Sequence, residues 1–213
     1  MYMFKDSLPR LDGKIRFLHA IPDAPSVDVY ANGKLIYSNL SFGQITNYIS
    51  IAPGTYNIKL LKTGTTNNDV FSDSINITPN SISTVAVTYE NNEIEYFTID
   101  DSHIPESNPM LSFIRFINLS ANAPLLSLSI PSGIVFFNQA SYLETNGYYP
   151  TSPGIYDFIV SSADGNFNKY ISSLNLTPNL FITIYIIGSY ISSPSLGYIL
   201  IKDGTEQRNI EEL

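Results

Sequence analysis

The chain has 213 residues, 11 lysine and arginine against 19 aspartate and glutamate, a net charge of −8, and no cysteine. That balance excludes the basic stripe of a nucleic-acid binder. The missing thiols exclude a disulfide framework, a thiolate nucleophile and a Cys-ligated zinc.

Residues 1–13 read as a polar lead-in with Pro9 and Gly13. Met1 to Arg10 lacks a basic segment followed by an apolar one, so no signal peptide is expected and synthesis in the cytoplasm is. Lys14 to Ala20 is a mostly apolar run, and Val27, Val29 and Ala31 alternate with Asp28 and Tyr30, the period of a strand. Asn32-Gly33 between that run and Leu35-Ile36-Tyr37 predicts a tight hairpin, because both positions tolerate positive φ. Tyr48 to Ile51 is a short strand stopped by Pro53-Gly54, and Tyr56, Ile58 and Leu60 alternate in the next. Val70 to Ile77, Ile82 to Tyr89 and Glu93 to Ile99 complete a unit over 14–99. Residues 100–110, with Asp100, Asp101, Pro105 and Pro109, read as a linker.

The second unit, 111–203, repeats the first. Ile15-Arg16-Phe17 returns as Ile114-Arg115-Phe116, Pro53-Gly54 as Pro153-Gly154, and Thr78-Pro79-Asn80 as Thr177-Pro178-Asn179. The small changes of offset fall in turns, where insertions are tolerated. Residues 204–213 form a charged tail without strand pattern. No segment shows helical spacing with caps. Short strands with turn signals every eight to twelve residues predict an all-β protein of two tandem antiparallel β-sandwich domains. The most apolar run, Leu180 to Gly188, is too short to span a bilayer.

The stretch Ile15-Arg16-Phe17-Leu18-His19-Ala20-Ile21-Pro22-Asp23-Ala24-Pro25-Ser26-Val27-Asp28-Val29-Tyr30 resembles the opening of a bacterial family, domain of unknown function 4397. The likeness continues through Asn32-Gly33, Asn39-Leu40-Ser41-Phe42-Gly43 and Pro53-Gly54-Thr55-Tyr56. The resemblance implies immunoglobulin-like or transthyretin-like sandwiches, often in tandem and in surface or exported proteins. It implies no activity. The second unit departs from the motif: His19, Asp23 and Asp28 become Asn118, Asn122 and Ser127.

Arg16, His19, Asp23 and Asp28 are therefore the candidate site residues. His19 with the two aspartates has the chemistry of a metal or acid–base cluster. The structural alternative places Asp23 in an Asx turn, with Arg16 pairing either aspartate. The latter is favoured, so no catalytic, cofactor or metal residue is assigned. Asp69, Asp73, Asp100 and Asp101 lack the spacing of a calcium loop. His103, the other histidine, has no Gly-x-Ser-x-Gly elbow to serve, so a hydrolase ranks last. Fifteen tyrosines and twelve phenylalanines without tryptophan supply contact area with polar tips. The sequence thus predicts a non-enzymatic structural or interaction protein that self-associates or binds protein partners, such as a cell-surface or spore-coat component. A carbohydrate- or peptide-binding module is the alternative.

Overall fold

The computed structural model describes residues 11–67, 69–90, 93–102, 105–106 and 108–203. The lead-in up to residue 10, His103 and the tail from residue 204 lie outside them. Among the described residues every regular element is a strand. The first eight are β1 (Gly13–His19), β2 (Val27–Ala31), β3 (Lys34–Leu40), β4 (Ile49–Ile51), β5 (Gly54–Lys62), β6 (Asp69–Ile77), β7 (Ile82–Glu90) and β8 (Glu93–Asp100). The next eight repeat them: β9 (Ser112–Asn118), β10 (Leu126–Ser129), β11 (Val135–Ala140), β12 (Tyr149–Thr151), β13 (Gly154–Ser162), β14 (Asn168–Leu176), β15 (Phe181–Ile187) and β16 (Gly197–Asp203).

They form four sheets, two to a sandwich. The first sandwich pairs β3-β2-β5-β6 with β4-β1-β7-β8, and the second pairs β11-β10-β13-β14 with β12-β9-β15-β16. The ladders are antiparallel except β1 on β7 and β9 on β15, which run parallel at the centre of their sheets. Asn32 and Gly33 both have positive φ, 47° and 79°, as the hairpin chemistry requires. In the echoed Thr-Pro-Asn turns, Asn80 and Asn179 sit at φ 58° and 61°. Their backbone amides reach Leu11 and Leu111 carbonyls at 3.1 and 2.7 Å, anchoring each turn to the entry of its unit.

Each sandwich has its own apolar core. Ile15, Phe17, Val85 and Val87 point into the first, and Ile114, Phe116, Ile182 and Ile184 into the second. Alternate residues of the same strands build a third core. Leu18, Ala20, Ala86 and Ile99 from the first unit meet Ile117, Leu119, Tyr185 and Ile201 from the second. The two sheets that carry β1 and β9 therefore pack face to face, and the molecule is a stack of four sheets. This explains why β9 and β15 are buried at every position: both faces of each strand are covered.

Candidate functional site

The motif residues do not converge. Arg16 points into the third core and pairs with neither Asp23 nor Asp28, contrary to the pairing that the sequence suggests. His19 is 1% exposed, and its Nε2 donates to the Pro25 carbonyl oxygen at 3.2 Å, holding the loop that follows β1. Its Nδ1 has no partner, and burial pushes its pKa below the ordinary value against the pull of that hydrogen bond. Asp23 is exposed in a turn at φ 60°. Asp28 accepts from the Asn39 amide at 2.8 Å and the Gly64 amide at 3.2 Å, securing a bulge where Asn39 has φ 59°. In the second unit Ser127 Oγ accepts from the Gln139 amide at 2.9 Å, where φ is 53°. The same backbone task is met there by a hydroxyl, which is why a serine suffices in place of the carboxylate.

Arg16 belongs to a buried constellation that the two units build together. Its Nη2 donates to Asp203 of the second unit at 2.7 Å, and its Nε to its own Thr84 at 2.7 Å. Arg115 mirrors it: Nη2 donates to Asp101 of the first unit at 2.5 Å and Nε to Thr183 at 2.9 Å. Each aspartate is then held from its own side. Asp101 accepts from Thr84 at 2.5 Å and Tyr48 at 2.7 Å, and Asp203 accepts from Thr183 and from Tyr148 at 2.8 Å. The guanidinium carbons lie 4.4 and 4.8 Å from the ring centres of Tyr48 and Tyr148, in cation–π range. Asp101, placed by the sequence in a polar linker among possible calcium ligands, is 1% exposed and belongs to this lock.

Two positive and two negative charges close on one another, so the desolvation penalty of each ion is met by a partner and several hydrogen bonds. Burial works to lower the pKa of both arginines, but the surrounding tyrosines and aspartates outweigh it and hold both cations. Burial likewise drives the Tyr48 and Tyr148 hydroxyls upward, so both remain donors. Tyr185 stands where the first unit has Ala86, and its buried hydroxyl has no partner; burial pushes its pKa up to about 12. A cleft of about 220 Å³, lined by Asp100, Arg115, Thr145, Asn146, Gly147 and Tyr148, opens beside the lock.

The ends of the two sandwiches differ more than their interiors. In the first unit β7 ends at Glu90, which pairs with Glu93 at the start of β8; in the second, residues 188–196 form a longer loop between β15 and β16. Asn122, the counterpart of Asp23, anchors that loop: its Oδ1 accepts from the Tyr190 amide and its Nδ2 donates to Ser189, both at 2.8 Å. Tyr190 Oη donates to Asp164 at 2.5 Å, and its ring meets Phe167 edge-on with centroids 6.5 Å apart. Ser162 and Asn166 also donate to Asp164, holding its carboxyl well below the usual carboxylate range. Among the described residues, no group of three His, Asp or Glu side chains is placed to hold a metal ion.

Among known families, the DUF4397 family, described as a domain of unknown function, matches residues 13–129, the whole first unit and the start of the second. No curated protein matches the chain. Among solved structures, CBMbc, a family CBM26 module from Eubacterium rectale Amy13K solved in complex with maltoheptaose, is similar over 92% of this chain and 98% of that one. Its identity is 10% and its TM-score 0.26, a likeness that carries no argument about ligand.

Proposed function

The chain belongs to the DUF4397 family, and because that family is a domain of unknown function we propose a role from the geometry: a non-enzymatic interaction protein, a rigid double sandwich that works through its outer surface. One observation supports the reading. Among the described residues, the buried charged and histidine side chains are Arg16, His19, Asp28, Asp101, Arg115 and Asp203, and each is engaged in holding backbone or the other sandwich. Function falls to faces that are rich in serine, asparagine and tyrosine and poor in charge, surfaces with little mutual repulsion. Light scattering over a range of concentrations, with binding of the purified chain to cell and spore surfaces, tests this. Concentration-dependent assembly or surface binding is expected; a strict monomer that binds neither surface overturns it.

A second reading, a carbohydrate-binding module, is favoured by exposed aromatics on the second sandwich, Tyr149 at 41% and Tyr170 at 60%. Exposed rings beside neutral hydrogen-bonding groups suit polyhydroxylated ligands. A glycan array that returns no hits removes this reading and leaves the first in place.

A further inference from the structure

We propose that Asn146, in the connection between β11 and β12, is a site of spontaneous covalent modification, deamidation through a succinimide, and that the fold protects its twin, Asn32. The sequence holds two Asn-Gly pairs, Asn32-Gly33 and Asn146-Gly147. An asparagine before glycine is labile because glycine puts no Cβ in the way of ring closure and its backbone turns most freely. By sequence the two pairs are equivalent; their surroundings separate them.

Asn32 is clamped. Its backbone amide donates to the Asn57 carbonyl at 2.9 Å, and its Oδ1 accepts from the Asn57 amide at 2.9 Å. Asn32 and Gly33 are the tight turn between Ala31 and Lys34, which pair across the hairpin. Ring closure there requires the side chain to release Asn57 and the turn to open. Asn146 has no such hold. It lies in irregular chain ahead of β12, and among the described residues neither its side-chain amide nor the Gly147 N–H has a hydrogen-bond partner. Gly147 is exposed, and no atom outside its chain neighbours lies within 4 Å of the place a Cβ would take. Both residues line the cleft beside Arg115, which admits water. The first unit is closed at the same position. Thr46, the counterpart of Asn146, is buried, and its hydroxyl accepts from the Phe17 amide and donates to the Asn47 carbonyl, both at 3.0 Å.

The chemistry needs only water. The Gly147 nitrogen gives its proton to hydroxide and attacks Asn146 Cγ. A bond forms between that nitrogen and Cγ, the Cγ–Nδ2 bond breaks, and Nδ2 takes a proton from water and leaves as ammonia. Water then opens the succinimide at one of its two carbonyls. Opening at Cγ gives aspartate; opening at the backbone carbonyl gives isoaspartate, with the main chain rerouted through Cγ. Nothing is oxidised or reduced. Either product sets a new carboxylate in the cleft that Arg115 lines, just before Tyr148, whose hydroxyl donates to Asp203.

The test incubates the full chain at mildly alkaline pH, folded and in concentrated urea, and follows the peptides around both pairs by mass spectrometry, with fragmentation to locate isoaspartate. In urea the two asparagines should convert at similar rates. In the folded chain Asn32 must wait for the hairpin to open, so Asn146 should convert about tenfold or more faster. Gly147→Ala has open space and no left-handed φ to strain, so thermal melting should show it folded, while conversion at Asn146 slows about tenfold. Conversion at Asn146 no faster than at Asn32 in the folded chain overturns the proposal. So does a rate at Asn146 that Gly147→Ala leaves unchanged, because the succinimide route runs through that nitrogen.

Discussion

Replacing Asp101 with asparagine probes the lock between the sandwiches. Asp101 is 1% exposed and accepts three hydrogen bonds, from Arg115 at 2.5 Å, Thr84 at 2.5 Å and Tyr48 at 2.7 Å, with Arg16 Nη2 a further 3.7 Å away. The substitution keeps the shape and leaves two guanidinium groups facing the single carboxylate of Asp203. Stranding a buried charge in this way destabilises a protein by about 3–5 kcal/mol. At roughly 2–4 °C per kcal/mol for a chain of this size, the melting midpoint should fall by about 10 °C. Replacing all four ions together by apolar residues of similar volume (Arg16→Met, Arg115→Met, Asp101→Leu, Asp203→Leu) strands nothing. That variant should lose much less than the four single changes summed. Urea unfolding followed by tryptophan-free methods, such as far-ultraviolet circular dichroism, gives the free energies. A loss under about 1 kcal/mol for Asp101→Asn would refute the claim that these charges depend on one another.

Tyr185→Phe removes a buried hydroxyl that has no partner, and should leave stability unchanged or raise it by about 1 kcal/mol, read in the same denaturation assay. His19 is held neutral by burial, with its folded pKa below the ordinary value near 6.5. Its contribution is complete above that pH and is lost as pH falls toward the folded value, so the pH 5 to 7 stability difference should shrink in His19→Asn, the residue of the second unit. Gly188→Ala should displace the Ser189–Ser195 loop, seen as lost amide protection at Ser189 and Tyr190, while the sandwich cores keep theirs.

Much of the fold was legible in the residues. The alternation of Val27, Val29 and Ala31, the Asn32-Gly33 hairpin and the echoed Thr-Pro-Asn turns are local signals, and local hydrogen bonding and sterics determine what they form. The parallel pairing of β1 with β7 was not legible, because it depends on how the chain crosses to the outer sheet and back. The third core was foreshadowed by the continuous apolar runs of β1, β9 and β15, which mark strands covered on both faces. What covers the second face could not be read from one strand.

The site was less legible, for a physical reason. Arg16 drew notice through nearby Asp23 and Asp28, yet its partner is Asp203, at the far end of the other repeat. A signal was present: Arg16, Tyr48, Thr84 and Asp101 each recur, as Arg115, Tyr148, Thr183 and Asp203, whereas His19, Asp23 and Asp28 do not. Polar residues kept by both copies mark the surface through which the copies meet. Those changed in one copy mark a task met by other chemistry, as with Ser127, or a new one, as with Asn122.

Scanning calorimetry of the full chain bears most directly on the sealed stack of four sheets. Two sandwiches joined through a shared apolar core and reciprocal ion pairs should melt in one transition, with calorimetric and van't Hoff enthalpies equal. Two separable transitions, each carrying about half the heat, would contradict the account.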